Sequence, residues 1–173
     1  MNLSNSMFQF LVLFALFSLV KPDAALIGSV CGKTEQPVIC SDCFKSSSGS
    51  QTADVRGLAV IAIGCAERNT RLMAQKLGEL LRSTPDSALK TILNGCWLST
   101  GYTAGDFPGI ERAVAAGDYT TGRNTLEIAI RNVNSCLEEF NKNPRVPVPS
   151  EVLTGTVAAI QGRRIVSDIL NSI

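Results

Sequence analysis

A run of mostly apolar residues at helical spacing restricts the fold of this chain more than any other feature. Val55, Leu58, Ala62, Cys65, Asn69, Leu72, Lys76 and Leu80 recur every three or four positions, with Ala59, Ala66, Met73, Leu77 and Leu81 beside them. That spacing draws one amphipathic face about seven turns long. Gln51-Thr52-Ala53-Asp54, after the loop Lys45 to Ser50, offers its start. Gly57, Gly64 and Gly78 each cost about 1 kcal/mol relative to alanine. Burial of the face has to offset them.

Three further helices follow. Ser83-Thr84-Pro85-Asp86 reads as a second start: a hydroxyl cap, proline in the first turn, then an acid at the positive helix end. Leu89, Ile92, Leu93, Cys96, Thr103, Phe107, Ile110 and Val114 form the second face, with Gly101, Gly105 and Pro108 predicting a bend or break near its middle. After a turn at Ala115 to Thr121, the third face runs through Leu126, Ile130, Val133, Cys136 or Leu137, and Phe140. Pro144, Pro147 and Pro149 make the next segment extended and stiff. Ser150 is expected to cap the fourth helix, with Glu151 in its first turn and Val152, Leu153, Val157, Ile160, Ile165, Val166, Ile169 and Ile173 as its apolar positions. No strand pattern of period two and no internal repeat is present. The expected fold is all-α, an antiparallel up-down-up-down four-helix bundle, with the segment before it outside or across one end.

Met7 to Val20 is apolar apart from Gln9 and Ser18. Spanning hydrocarbon takes about 20 apolar residues, so this run is short for an anchor. With Ala24 and Ala25 near a plausible cleavage point, residues 1–25 read as a secretory signal peptide and 26–173 as one domain. The expected location is extracellular, with no stable membrane association once the signal is removed.

Secretion bears on the cysteines. Cys31, Cys40 and Cys43 lie within thirteen residues, and Cys65, Cys96 and Cys136 follow. Cys40-x-x-Cys43 suits a metal site, a redox dithiol or part of a disulfide framework. An oxidising compartment favours disulfides. A zinc site needs four ligands, and no second C-x-x-C completes one. Six cysteines allow 15 pairings, which spacing alone does not resolve.

The chain has no histidine. That removes Ser-His-Asp and Cys-His catalysis, H-E-x-x-H zinc sites and C₂H₂ fingers. Sixteen basic against 15 acidic residues leave no nucleic-acid footprint. Glu138 and Glu139 are helix neighbours pointing about 100° apart, so they do not converge as a catalytic dyad. Gly101 to Gly109 lacks the strand and lysine of a phosphate loop. Trp97 fits either a binding anchor or a partly buried core position. No cofactor or metal is expected, and a helical bundle without catalytic apparatus works by binding.

Cys31-x-x-Thr34-x-x-Pro37-x-x-Cys40 resembles the opening signature of the plant invertase and pectin methylesterase inhibitor family. The segments Ala88 to Cys96, Ala115 to Thr121 and Ser135 to Phe140 continue the resemblance in order, and it covers nearly all of the chain after the leader. It implies a four-helix bundle with an N-terminal helical hairpin clipped by Cys31–Cys40, and a second bridge, Cys96–Cys136, between helices two and three. Loop-closure estimates give such bridges about 2.5–4 kcal/mol each. Cys43 and Cys65 have no partner in the family pattern. Cys65 fits a buried free thiol, or the two pair and tie the hairpin to the first long helix.

The resemblance also implies a partner. Family members bind a pectin methylesterase or an acid invertase and occlude its carbohydrate cleft without covalent chemistry. Invertase inhibitors tend to carry Pro-Lys-Phe after the Gly-Asp that begins helix three. This chain has Gly117-Asp118-Tyr119, similar to the pectin methylesterase branch, and Ser135 before the third-helix cysteine suits that branch too. The expected activity is a one-to-one complex with a pectin methylesterase in the apoplast or cell wall. The alternatives are inhibition of a cell-wall or vacuolar acid invertase, or a bundle that kept the scaffold and lost inhibition. The last is motivated by Leu98 and Thr100, which stand where the family often has an acid and a tyrosine. Candidate partner contacts are Trp97, Thr100, Thr103, Asn132, Ser135 and Glu139.

Overall fold

The computed structural model describes residues 23–173, and every regular element among them is helical. Two short helices, α1 (Asp23–Cys31) and α2 (Pro37–Lys45), and a 3-10 turn at Ser48–Gln51 precede four long ones. These are α3 (Val55–Ser83), α4 (Ser87–Ala115), α5 (Tyr119–Lys142) and α6 (Ser150–Asn171). The expected leader falls on residues 1–22, outside the described residues, and on the first three positions of α1.

Three long helices start on an aspartate whose carboxylate accepts from the amide three residues on: Asp54 from Gly57 at 2.8 Å, Asp86 from Leu89 at 2.7 Å and Asp118 from Thr121 at 3.0 Å. Each occupies an amide the first turn leaves unpaired and sets negative charge at the positive end of the helix. Asp86 corrects the expected second start. Ser83 ends α3, Thr84 closes it, and Pro85 precedes the cap instead of entering the first turn. Ser150 is not a cap either. Pro149 holds that position in extended backbone and offers its carbonyl to the amides of Val152 and Leu153 at 3.1 and 3.2 Å. The Ser150 hydroxyl instead donates to Glu151 at 3.0 Å.

No break occurs at Gly101, Gly105 or Pro108, and α4 runs through all three. Pro108 removes one backbone donor and crowds the turn before it. The buried stripe Thr100, Thr103, Ala104, Phe107, Ile110 and Val114 keeps its phase across the site, and that burial outweighs the local cost.

Helices α3 to α6 form a closed antiparallel ring, each packed on the next, with α6 returning to α3. The return contact is close because glycine makes it so. A Cβ on Gly162 would lie 3.2 Å from the Ala66 backbone, and one on Gly155 would lie 3.2 Å from Met73 Cγ.

The interior is two apolar clusters separated by a polar layer. One holds Leu58, Ile63, Phe107, Ile110, Leu126, Val166 and Leu170, and the other holds Met73, Leu77, Leu93, Val133, Phe140 and Val152. Between them on their helices lie Thr70, Thr100, Thr103 and Arg163, all fully buried. Arg163 Nη2 donates to Thr70 Oγ1 at 2.9 Å, and Thr70 in turn donates to the Ala66 carbonyl at 2.8 Å. The guanidinium carbon sits 5.7 Å from the centre of the Phe107 ring. Burial pulls the Arg163 pKa down to about 10, which leaves it charged at neutral pH.

The α1–α2 hairpin crosses the end of the bundle that carries the first cluster, into which Val30 and Phe44 are buried. The spacing of Cys31, Thr34, Pro37 and Cys40 has a structural basis here. Cys31 is bonded to Cys40. The Thr34 hydroxyl donates to the Cys31 carbonyl at 2.9 Å where α1 ends, and Pro37 is the first residue of α2. The Glu35 amide donates to Asp168 at 3.0 Å, and Arg164 lies 3.3 Å from the Glu35 carboxylate, so the hairpin turn is held to α6. A second bond, Cys43–Cys65, holds α2 to α3.

The polar layer yields a stability test. Thr70→Val keeps the shape of the side chain and removes the acceptor of Arg163. It should cost about 1–3 kcal/mol in the wild-type background. In an Arg163→Met background, with no buried donor left to strand, the same change should cost little. Chemical denaturation of the four proteins measures the coupling, and equal costs in both backgrounds would contradict this account.

Candidate partner-binding surface

The turn between α4 and α5 is built from its sequence in two steps. Gly117 has φ +84°, a conformation that glycine adopts without steric cost. Its amide donates to Val114 O at 3.0 Å, and the Asp118 amide donates to Ala113 O at 2.9 Å. These are the two bonds of a Schellman closure. Asp118 then caps α5 with its carboxylate. One Gly-Asp pair therefore ends one long helix and starts the next with no slack between them. Tyr119 follows, half-buried against the hairpin-end cluster, and its hydroxyl accepts from Arg56 Nε at 3.0 Å. The turn is thereby tied to α3.

On the far side of the polar layer, Cys96 is bonded to Cys136 and clamps α4 to α5. Around this clamp the candidate contact residues separate. Trp97 is 42% exposed, and its indole Nε1 lies 3.3 Å from where a Cβ of Gly78 would be. It therefore lies over α3. Ser99 and Asp106 stand about half a turn round α4 from Trp97, on the edge that borders α5. Asn132, Ser135 and Glu139 are half-buried along one edge of α5 at spacings of three and four. The Ser135 hydroxyl donates to the Asn132 carbonyl at 2.7 Å, and Glu139 pairs with Lys142 at 2.6 Å. That bond to Glu139 raises the Lys142 pKa.

Thr100 and Thr103 do not reach the surface. Both are fully buried in the polar layer, and Thr103 donates to the Ser99 carbonyl at 2.8 Å. Their phase on α4 points them inward with Cys96 and Phe107, so they are packing residues. Two residues that sequence reasoning left out are prominent outside: Tyr102 on α4, 73% exposed, and Ile128 on α5, 46% exposed. Both fall on the side of their helix where the amphipathic pattern calls for polar residues. That mismatch was the available signal.

The α4/α5 seam offers hydroxyls, one amide, opposed charges and exposed apolar side chains. It contains no nucleophile paired with a base, and among the described residues no cluster of metal-ligating side chains occurs. Such a surface can dock against a partner and has nothing with which to transform one. A cleft of about 380 Å3 between α3 and α6, floored by Met73, Gly155 and Ala158, lies on another side of the bundle. No helix among the described residues is long and apolar enough to cross a membrane.

A model of the plant invertase/pectin methylesterase inhibitor family matches residues 25–170. A pectinesterase inhibitor of Actinidia deliciosa is 24% identical over 83% of this chain and 82% of its own length. A Platanus acerifolia protein provisionally named as an invertase inhibitor is 27% identical over 86% of each chain. Among solved structures, a mutant form of a pectin methylesterase inhibitor from Arabidopsis superposes with a TM-score of 0.70 at 17% identity, covering 85% of this chain and 96% of that one. At that identity the likeness carries the fold.

The Asp118 cap gives a pH test. Hydrogen bonds from Thr121, side chain first and then backbone, hold the Asp118 carboxyl below its ordinary pKa of 3.8. A carboxylate with a lowered folded pKa stabilises the fold above its unfolded pKa, and that contribution fades as pH falls through the folded value. Asp118→Ala should therefore lower the midpoint of thermal unfolding near neutral pH. The gap to wild type should close as pH falls below 3.8. A gap that stays constant over this range would contradict the assigned role.

Proposed function

The chain belongs to the plant invertase/pectin methylesterase inhibitor family, and from that premise we propose that it is a secreted inhibitor of pectin methylesterase. It is an enzyme inhibitor and not an enzyme, as its family is. In this reading residues 1–25 direct export, and the mature chain acts in the apoplast or cell wall. It binds its target one to one and covers the carbohydrate cleft with the α4/α5 seam.

The observation that carries the choice of target is Gly117-Asp118-Tyr119. The segment has no Pro-Lys-Phe to enter an invertase site, and Tyr119 is committed to Arg56 and the core. Asn132, Ser135, Glu139, Tyr102 and Ile128 supply the outward groups on the seam. Three disulfides and a turn without slack support rigid docking, because a partner surface fixed beforehand loses less entropy on binding.

Invertase is the second reading. The Platanus acerifolia relative supports it, as does a 72-residue match at 35% identity to an Arabidopsis thaliana protein named cell wall / vacuolar inhibitor of fructosidase 2. A non-inhibitory bundle loses its motive at Thr100, which is buried and does not bear on partner contact, and keeps it at Leu98, 42% exposed.

Purified protein is expected to titrate the activity of a plant pectin methylesterase to a one-to-one end point at mildly acidic pH, and to leave acid invertase active. Inhibition of invertase alone would overturn the choice of target, and inhibition of neither would overturn the inhibitor reading. Asn132→Arg should weaken inhibition at least about tenfold, a loss of roughly 1.4 kcal/mol, with the thermal midpoint unchanged. Leu72→Arg on the α3/α6 side should leave inhibition intact.

A further inference from the structure

The six cysteines form three bridges that differ in surroundings. The cysteines of Cys31–Cys40 and Cys96–Cys136 are each at most 1% exposed. Cys43 and Cys65 are only partly buried, and both line a surface cleft of about 220 Å3 with Asp42, Ser46 and Arg68. Within it Arg68 Nη2 points at Cys65 Sγ from 3.2 Å. A cation at that distance lowers the pKa of the thiolate that forms when the bond opens, and a thiol of lower pKa leaves faster. Asp42 opposes this from the same cleft, but its carboxylate is shared with Lys45 at 3.4 Å.

We propose that Cys43–Cys65 is a reducible site for small dithiols, opened through attack at Cys43 with Cys65 leaving under the Arg68 guanidinium. The thiolate of the dithiol bonds to Cys43 Sγ as the Cys43–Cys65 bond breaks, and the electron pair goes to Cys65. The second thiol of the reagent then displaces Cys43 and closes an intramolecular disulfide. Two electrons and two protons pass from dithiol to protein, leaving Cys43 and Cys65 as thiols. The buried bridges stay closed, so the hairpin remains clipped by Cys31–Cys40 and the α4/α5 seam by Cys96–Cys136. What is lost is the covalent tie from α2 to α3. The hairpin is then held by its packing, by Glu35 to Asp168 and by Glu35 to Arg164.

The test is a dithiothreitol titration of the folded, fully oxidised protein, with free thiols trapped by iodoacetamide and mapped by mass spectrometry. The first reduced species should carry two labels, at Cys43 and Cys65. Arg68 is exposed, so its substitution leaves the fold intact. Arg68→Gln should slow this step by about threefold, and Arg68→Lys should restore most of the rate. First labels on any other pair, release of all six thiols together, or an unchanged rate in Arg68→Gln would each overturn the proposal.

Discussion

Arg163 fixes how three of the four long helices, α3, α4 and α6, line up. Its guanidinium lies inside the bundle and reaches one hydroxyl, Thr70 on α3, and one ring, Phe107 on α4. A slip of either helix by one turn, about 5.4 Å, would carry its group out of reach. The result would be a cation in hydrocarbon with nothing to replace its lost water. Apolar stripes alone tolerate such slips, because one leucine packs much like the next. The polar layer does not, and it separates the hairpin-end cluster from the one beyond at a single level.

With the register set, the rest of the scaffold follows from short connections. The Gly117-Asp118 turn joins α4 to α5 without a loop, and the Cys96–Cys136 bond closes the same pair beyond the polar layer. Among the four long helices, α4 and α5 are the pair held by both a short turn and a disulfide, and their outer seam carries Tyr102, Ile128, Asn132, Ser135 and Glu139. An inhibitor that contributes no chemistry depends on how little its surface has to change on docking. In this protein the pair of long helices that shares a disulfide is the pair proposed to dock.

Much of this was legible in the sequence, for identifiable reasons. A helix pattern seven turns long has no competing strand reading, so α3 and the all-helical class followed from periodicity alone. The helix starts were less legible: Ser83 and Ser150 have the chemistry of caps, yet Asp86 and Pro149 hold those positions. Cap identity depends on where the preceding chain turns, and residue type does not report that. Of the bend or break expected from Gly101, Gly105 and Pro108, no break occurs, because the burial of Phe107, Ile110 and Val114 outweighs the local penalty. Thr100 and Thr103 stood among the candidate partner contacts, although their phase with Cys96, and the place of Thr103 on the second helix's apolar face, put them inside. Arg163 drew no attention, since a lone arginine in an amphipathic helix reads as solvated until its partner on another helix is known.

The central claim, that a rigid α4/α5 seam is the face that binds, is tested most directly by hydrogen exchange with and without a bound pectin methylesterase. The account predicts slowed exchange at α4 around Leu98 to Asp106 and at α5 around Ile128 to Glu139, with α3 and α6 unchanged. Protection concentrated on the α3/α6 cleft around Met73 and Gly155, with the seam unaffected, would contradict it.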